Sequence, residues 1–239
     1  MAAALPKFAH PILSLEIPST KTKANFRPFL VKEEKLLLMA KSSEDNVDIL
    51  SAIKQVVNNC SLDPMFSVNA LTIFDLEYLF LKLRGSSIEN VIKVSYEDSE
   101  DSKVYDFEID IDKIEVKFPK KAEPKIAISG TSGIILKYPS ASLYDDKIFL
   151  DTKEETIMFE LITRCIDQVY DEKKVYLGKD YKKEELTAFV EMLDVKTFET
   201  IQKFLRDSPK LEYVINYTNS KGSERTITLN TLADFFTLR

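Results

Sequence analysis

Hydrophobic and polar residues alternate with two different periods along the chain, and the changes of period separate three blocks. In the first block, residues 1–87, two alternating stretches on either side of a turn-rich segment predict an N-terminal β-hairpin. Apolar residues then recur at helical spacing, which predicts one helix over residues 32–41 and another around residues 49–57. Asp45 stands before the second of these helices and is predicted to cap it.

A third helix is predicted to begin at Thr72. Thr72 and Asp75 have the spacing of a capping box, with Asp in place of the usual Glu or Gln. The residues that follow are apolar around most of the helix circumference, so we expect Leu76, Phe80 and Leu83 to be buried. Gly85 is predicted to end this helix.

The second block, residues 88–150, changes from the helical period to a period of two. Apolar and acidic residues alternate over residues 105–112, which predicts a half-buried strand with a solvent-facing acidic side. A similar strand precedes it, so residues 97–102 are predicted to form the loop of a hairpin. Residues 126–129 and 134–138 are predicted to add short strands to this β-rich block.

The third block, residues 151–239, is predicted to be mostly helical. Thr152 and Glu155 match the capping-box pattern, and the helical spacing of apolar residues continues to Val169. Two further helices, a β-hairpin and a short last helix follow, with predicted ranges 186–193, 195–205, 213–229 and 231–236. The sequence therefore predicts an α+β fold, either as three modules or as one continuous fold. It has an N-terminal β-hairpin and helices, central antiparallel strands, and a C-terminal helical block that ends in a hairpin and a short helix.

Composition narrows the class of protein further. The 33 Lys and Arg residues against 39 Asp and Glu residues give a net charge of −6, which argues against a general nucleic-acid binder. The densest apolar run, residues 36–40, is far shorter than the roughly 20 residues that span a bilayer. The first residues lack the pattern of a signal peptide, and the two cysteines offer no disulfide framework. We therefore expect a soluble intracellular protein with no membrane or nucleic-acid partner.

The residue types that carry catalysis or bind metals are sparse. His10 is the only histidine, and with Cys60 and Cys165 it makes three widely separated ligands, whereas a structural zinc site usually takes four. Both cysteines lie beside or within apolar helical patterns and are predicted to be buried. Gly130 and Gly133 lack the spacing of a phosphate-binding loop and are predicted to form a turn between strands. We expect no catalytic residue, no cofactor site and no bound metal.

Longer strings carry a resemblance that short motifs do not. They are FRPFLVKEEKLLLMA at residues 26–40, AIKQVVNNC at 52–60, FDLEYLFLKLRGSS at 74–87 and LADFF at 232–236, after the last hairpin. These strings, found in one order from end to end, resemble the T4-like bacteriophage baseplate hub protein family. Arg27 within the first string is expected to face solvent from a strand whose phenylalanines enter the core, and Glu33 and Glu34 to lie in a first helical turn.

The resemblance implies a structural or assembly component of the central hub of a contractile-tail phage baseplate, acting through protein–protein contacts, with no enzymatic activity and no cofactor. Its partners would be other baseplate hub proteins, and its location the virion tail baseplate, assembled in the host cytoplasm. An alternative is a hub assembly factor that is absent from the finished virion. A metal-independent, carboxylate-dependent enzyme is a less favoured alternative. Members of this family sometimes carry cysteine pairs on the terminal hairpin, but residues 219–222 here are Asn-Ser-Lys-Gly, so no metal site is implied.

The last residues are the candidate partner interface. Phe235, Phe236 and Leu238 stand within a few positions of one another near the C-terminus. Either they close the core beneath the last hairpin, or they form an apolar patch for another subunit. Adjacent residues of a helix point about 100° apart, so one phenylalanine could face inward while its neighbour faces a partner.

Overall fold

The computed structural model describes residues 8–43, 46–120, 123–145, 154–232 and 234–237. The chain divides into two compact units: a terminal unit, residues 1–116 with 211–239, and a central unit, residues 117–210. This division differs from the three consecutive blocks at 1–87, 88–150 and 151–239, because the last hairpin joins a sheet with a strand from far earlier in the chain. The predicted caps Asp45 and Thr152 lie outside the described residues.

The terminal unit begins with the predicted hairpin. Strands β1 (Leu13–Glu16) and β2 (Lys23–Phe26) pair antiparallel. The predicted helices follow as α1 (Val31–Ser43) and α2 (Asn46–Cys60). Backbone hydrogen bonds join the end of β2 to the end of α2, and the Phe26 side chain beside them is fully buried. The hairpin and first two helices are therefore confirmed, and the hairpin supplies one wall of the core.

Helix α3 (Ile73–Ser87) begins with the predicted capping box. The Thr72 hydroxyl accepts a hydrogen bond from the Asp75 backbone N–H, and the Asp75 carboxylate accepts one from the Thr72 backbone. The same carboxylate accepts bonds from the backbone and hydroxyl of Ser19, which ties the turn after β1 to the start of α3. Leu76, Phe80 and Leu83 are buried, as predicted.

The sequence predicted that Gly85 ends α3, and this prediction is wrong. The helix continues for two residues, and a Cβ atom at Gly85 would lie 3.0 Å from the Asn90 amide oxygen and 3.1 Å from an Ile111 methyl group. The glycine is therefore explained by close packing against the 3-10 turn Ile111–Lys113.

Next come strands β3 (Val91–Glu97) and β4 (Val104–Asp110), an antiparallel pair joined by the predicted loop. The alternation of β4 was expected to reach Asp112, but the strand ends at Asp110, because the chain there turns into the 3-10 helix that packs on α3. A short strand, β5 (Glu115–Lys117), ends this part of the terminal unit.

The central unit contains one antiparallel sheet of four strands. In spatial and chain order they are β6 (Lys125–Ser129), β7 (Ser132–Leu136), β8 (Ile166–Tyr170) and β9 (Val175–Leu177). The predicted glycine turn joins β6 to β7, and Gly130 has a positive φ of 44°. The described part of the unit also contains helices α4 (Glu154–Cys165), α5 (Lys183–Glu191) and α6 (Val195–Arg206). The core lies between sheet and helices, where Ile134, Ile162 and Ile201 are fully buried.

The helical pattern at the start of the third block was expected to reach Val169, and this prediction is wrong. Helix α4 ends at Cys165, and β8 starts at the next residue. The reason is tertiary: Ile166 and Val169 pair with Leu136 and Ile134 of β7, and their β-branched side chains favour a strand where such a partner is present. The pairing partner, which the local pattern does not contain, decides the outcome.

The chain then returns to the terminal unit. Strands β10 (Lys210–Thr218) and β11 (Glu224–Leu229) form the predicted hairpin, and β10 lies between β11 and β5 in a three-stranded sheet. The last described element is a short helix, α7 (Asp234–Thr237), which contacts β3. The mixed α+β class is confirmed.

Candidate partner interface

The C-terminal segment is anchored within the terminal unit. Phe235 is fully buried, and the Asp234 carboxylate accepts hydrogen bonds from the backbone N–H groups of Asn230 (2.9 Å) and Thr231 (2.8 Å). These bonds cap a helix that is too short to be stable alone. Of the other two predicted interface residues, Phe236 belongs to α7 and Leu238 lies outside the described residues. Contact between these residues and a partner remains a prediction.

A partly buried carboxyl group on α3 joins this segment to the core. Glu77 accepts a hydrogen bond from the backbone N–H of Leu232, and its pKa is raised to about 7. Burial is the main cause, because it disfavours the charged form, and the nearby Asp234 carboxylate adds to the shift. Sequence patterns gave no indication of this contact, since nothing local distinguishes Glu77 from other helix-surface glutamates.

The acidic loop between β3 and β4 binds side chains of the β10–β11 hairpin. The Tyr217 hydroxyl of β10 donates a short hydrogen bond to the buried carboxylate of Asp98, and Arg225 Nε of β11 lies 3.2 Å from the same carboxylate. Burial and this hydrogen bond raise the pKa of Tyr217 to about 12, while the bond from Tyr217 lowers the pKa of Asp98. Asp98 is therefore ionised and held on two sides.

The turn of the hairpin is held by the same loop. The Asn219 side-chain amide donates to Glu100 at 2.6 Å, and the Ser220 hydroxyl donates to Asp101 at 2.7 Å. Tyr105 also donates to Asp101, and these bonds hold the pKa of the Asp101 carboxyl well below its usual range. The turn at residues 219–222 is thus held by hydrogen bonds to carboxylates. The sequence predicted the loop and the turn but not their contact.

Arg27 does not face solvent, so that prediction is wrong. Its guanidinium forms two parallel hydrogen bonds with the Glu33 carboxylate, at 2.9 and 3.1 Å, and donates to the Asn59 carbonyl. The Arg27 side chain is 13% exposed and that of Glu33 is fully buried. Burial opposes ionisation of Glu33, but the bonds from Arg27 and the Leu30 backbone outweigh it and lower its pKa. The pair closes the junction between β2, α1 and α2.

Helix α1 presents apolar residues to solvent. Val31 is 82% exposed, Leu38 59% and Met39 62%. The exposed charges of the same helix are mainly basic, because Lys32, Lys35 and Lys41 are exposed whereas one of its two glutamates is buried. An exposed apolar surface with a charged rim is typical of a protein-binding surface. The sequence signal was the apolar run at residues 36–40, within which the structure leaves Leu38 and Met39 exposed.

The candidate metal ligands named from the sequence do not form a metal-binding group in the described residues. His10 is exposed, and no group of three His, Cys, Asp or Glu side chains in the described ranges is positioned to hold a metal ion. Cys60 and Cys165 are buried as predicted, and burial raises their thiol pKa values to about 11 and about 12, which disfavours the reactive thiolate.

A family model described as T4 bacteriophage base plate protein matches residues 10–237. No curated protein and no solved structure matches the chain. Within the described residues, none of the helices has both the length and the apolar character needed to cross a membrane.

Proposed function

The chain belongs to the T4 bacteriophage base plate protein family, and from this premise we propose that it is a component of the central hub of a contractile-tail base plate. Membership of the family makes it a protein of the virion tail base plate that contacts other base plate proteins. The match from residue 10 to residue 237 carries the proposal, because it includes all four strings that resemble hub proteins.

The hub component would act through protein–protein contacts and without catalysis or a cofactor. The face of α1 formed by Val31, Leu38 and Met39 is the best-supported contact surface, since it is apolar, exposed and part of the first resembling string. Burial of apolar surface favours such contacts. The basic rim of α1 favours a hub protein that presents an apolar surface bordered by acidic residues.

Co-expression with candidate hub proteins, followed by size-exclusion chromatography, tests this function. We expect co-elution of the wild-type chain, and loss of co-elution for the double variant Leu38→Ser/Met39→Ser with an unchanged melting temperature. Met65→Ser, which changes a residue 87% exposed outside α1, is the matched control and should co-elute. Failure of the wild-type chain to bind any hub protein would contradict the proposal.

Deletion of residues 231–239 tests the C-terminal segment. Because Phe235 is fully buried and Glu77 binds the Leu232 backbone, we expect the truncated chain to be less stable and to assemble poorly. A truncated chain that melts normally but fails to co-elute would instead favour direct partner contact by Phe236 or Leu238. Normal melting together with normal assembly would contradict both roles.

A hub assembly factor is the alternative within the same class of function. Mass spectrometry of purified particles separates the two, since a component of the hub is present in the virion and an assembly factor is absent. The less favoured enzyme, which would use a pair of carboxylates, predicts an open pocket lined by a carboxyl group of raised pKa. Glu77 has such a pKa, but it is packed against the C-terminal segment, which favours a structural role.

A further inference from the structure

Positive charge is concentrated at one place in the central unit. Residues 117–210 contain 17 Lys and Arg and 17 Asp and Glu, so the net charge of −6 belongs to the terminal unit. Within this neutral unit, Lys137, Arg164, Lys179 and Lys183 all line one open pocket of about 350 Å³. Among the described residues, no acidic side chain lines it. Four cations around one cavity attract an anion, because the field of each adds to that of the others.

The fold brings these cations together from four separate segments. Lys137 follows β7, Arg164 lies in the last turn of α4, and Lys183 is the first residue of α5. Lys179 belongs to the 3-10 turn Gly178–Asp180, which lies directly against β8: a Cβ atom at Gly178 would be 2.4 Å from the Ile166 carbonyl oxygen. The pocket thus depends on a backbone approach that only glycine permits.

Two of the cations already bind a carboxylate of the chain itself. Arg164 Nε and Lys183 Nζ each lie 2.8 Å from a different oxygen of Glu160, whose pKa these bonds lower against the opposing effect of burial. Lys137 and Lys179 are exposed and have no ion-pair partner among the described residues. Glu160 therefore balances part of the charge, and the pocket keeps cations that are directed to solvent.

We propose that this pocket binds the carboxylates of an acidic segment of another base plate protein. Carboxylate is favoured because Arg164 and Lys183 already bind the two oxygens of one, and because the cations are side chains, without the glycine-rich backbone loop that typically binds phosphate. Ile166, Leu186 and Tyr181 line the same pocket and provide apolar contacts for the aliphatic part of the segment. The site does not depend on a hub position, since any acidic neighbour in the base plate could fill it.

Titration of the purified chain with a fluorescein-labelled hexaglutamate peptide, followed by fluorescence polarisation at low ionic strength, tests the site. We expect binding that weakens as salt is added. Lys137→Glu/Lys179→Glu should weaken it about tenfold or more, which corresponds to about 1.4 kcal/mol. Lys196→Glu/Lys203→Glu is the matched control, because it makes the same charge change at exposed residues of α6 that do not line this pocket. The control should bind like the wild-type chain.

A second variant separates loss of positive charge from added negative charge, and inorganic phosphate as a second probe tests the preference for carboxylate. Lys137→Gln/Lys179→Gln removes the charges without adding acids and should also weaken binding while leaving the melting temperature unchanged. Equal weakening by the control pair, or no binding by the wild-type chain, would overturn the site. Binding of inorganic phosphate but not of the peptide would overturn the carboxylate assignment. Each result is independent of co-elution with hub proteins, so the site and the hub function succeed or fail separately.

Discussion

The terminal and central units use their charged residues in opposite ways. Among the described residues, the buried carboxylates are Glu33, Asp75 and Asp98, and all three belong to the terminal unit, where each binds groups from another part of the chain. The polar residues buried in the described part of the central unit are only Thr163 and Thr197. Its charges stay near the surface, and several of its cations surround an open pocket.

This difference shows that the net charge of a unit does not indicate which binding partners its charged residues can recognise. The terminal unit has the whole net charge of −6, yet some of its most prominent acids are occupied in holding hairpins and helix ends together. The central unit has no net charge, yet its fold gathers four cations at one place. A charge that has a protein partner is a structural element, and only the remaining charges are available for recognition.

The largest effect is expected in the core of the terminal unit. Phe80→Ala removes a buried ring that contacts Phe29, with ring centroids 5.8 Å apart, and should lower the free energy of unfolding by about 3–5 kcal/mol. Denaturant unfolding measures this loss. Phe8→Ala makes the same change at a residue 78% exposed and should have little effect. Equal stability of the Phe80 variant and the wild-type chain would show that α3 is not part of the core.

The next effect compares one carboxylate from each unit. Glu33→Gln leaves the Arg27 guanidinium closed off from solvent without its partner charge and should cost about 3 kcal/mol. Glu160→Gln should cost only about 1 kcal/mol, because Arg164 and Lys183 can reach water. Urea unfolding of both variants tests the difference. If the two losses were equal, or reversed in order, the contrast between the units would not hold.

The last effect concerns pH, and its sign differs between the units. The pKa of Glu77 is about 7 in the folded chain, above its unfolded value of 4.5, so its protonated form favours folding. The contribution of Glu77 to the free energy of unfolding is fully present below pH 4.5 and is lost as pH rises through 7. Between pH 5.5 and pH 8 the loss is about 2 kcal/mol. Glu160, whose pKa is lowered, instead contributes stability at neutral pH that is lost in acid.

The pH effect is measured as the difference between the wild-type chain and Glu77→Gln. We expect the variant to gain stability relative to the wild-type chain as pH rises from 5.5 to 8, since glutamine cannot ionise but can still accept the Leu232 bond. Glu160→Gln serves as the control and should show no such gain in this range. A difference between wild type and Glu77→Gln that does not change with pH would contradict the role of Glu77.

Some features followed from the sequence because they depend on neighbours along the chain. The capping box of α3 is formed by Thr72 and Asp75, three residues apart, and the loop of β3 and β4 follows from alternation on both sides of an acidic stretch. The burial of Leu76 and Leu83 follows from a helix that is apolar on most sides. The resemblance in four strings also indicated the family, which the match over residues 10–237 confirms.

Other features of the fold depend on contacts between segments that are distant in the sequence. Ile166 and Val169 continue a helical spacing, but their β-branched side chains pair with β7 and form a strand. The local sequence predicts Arg27 as an exposed strand residue, but its guanidinium binds Glu33 of α1 and the Asn59 carbonyl of α2. The local sequence likewise predicts that Gly85 ends a helix, whereas in the structure this glycine permits close packing against Asn90 and Ile111. Local spacing determines most of the elements. The state of an ambiguous segment, and the burial and partners of a charged side chain, depend on segments that are distant in the sequence.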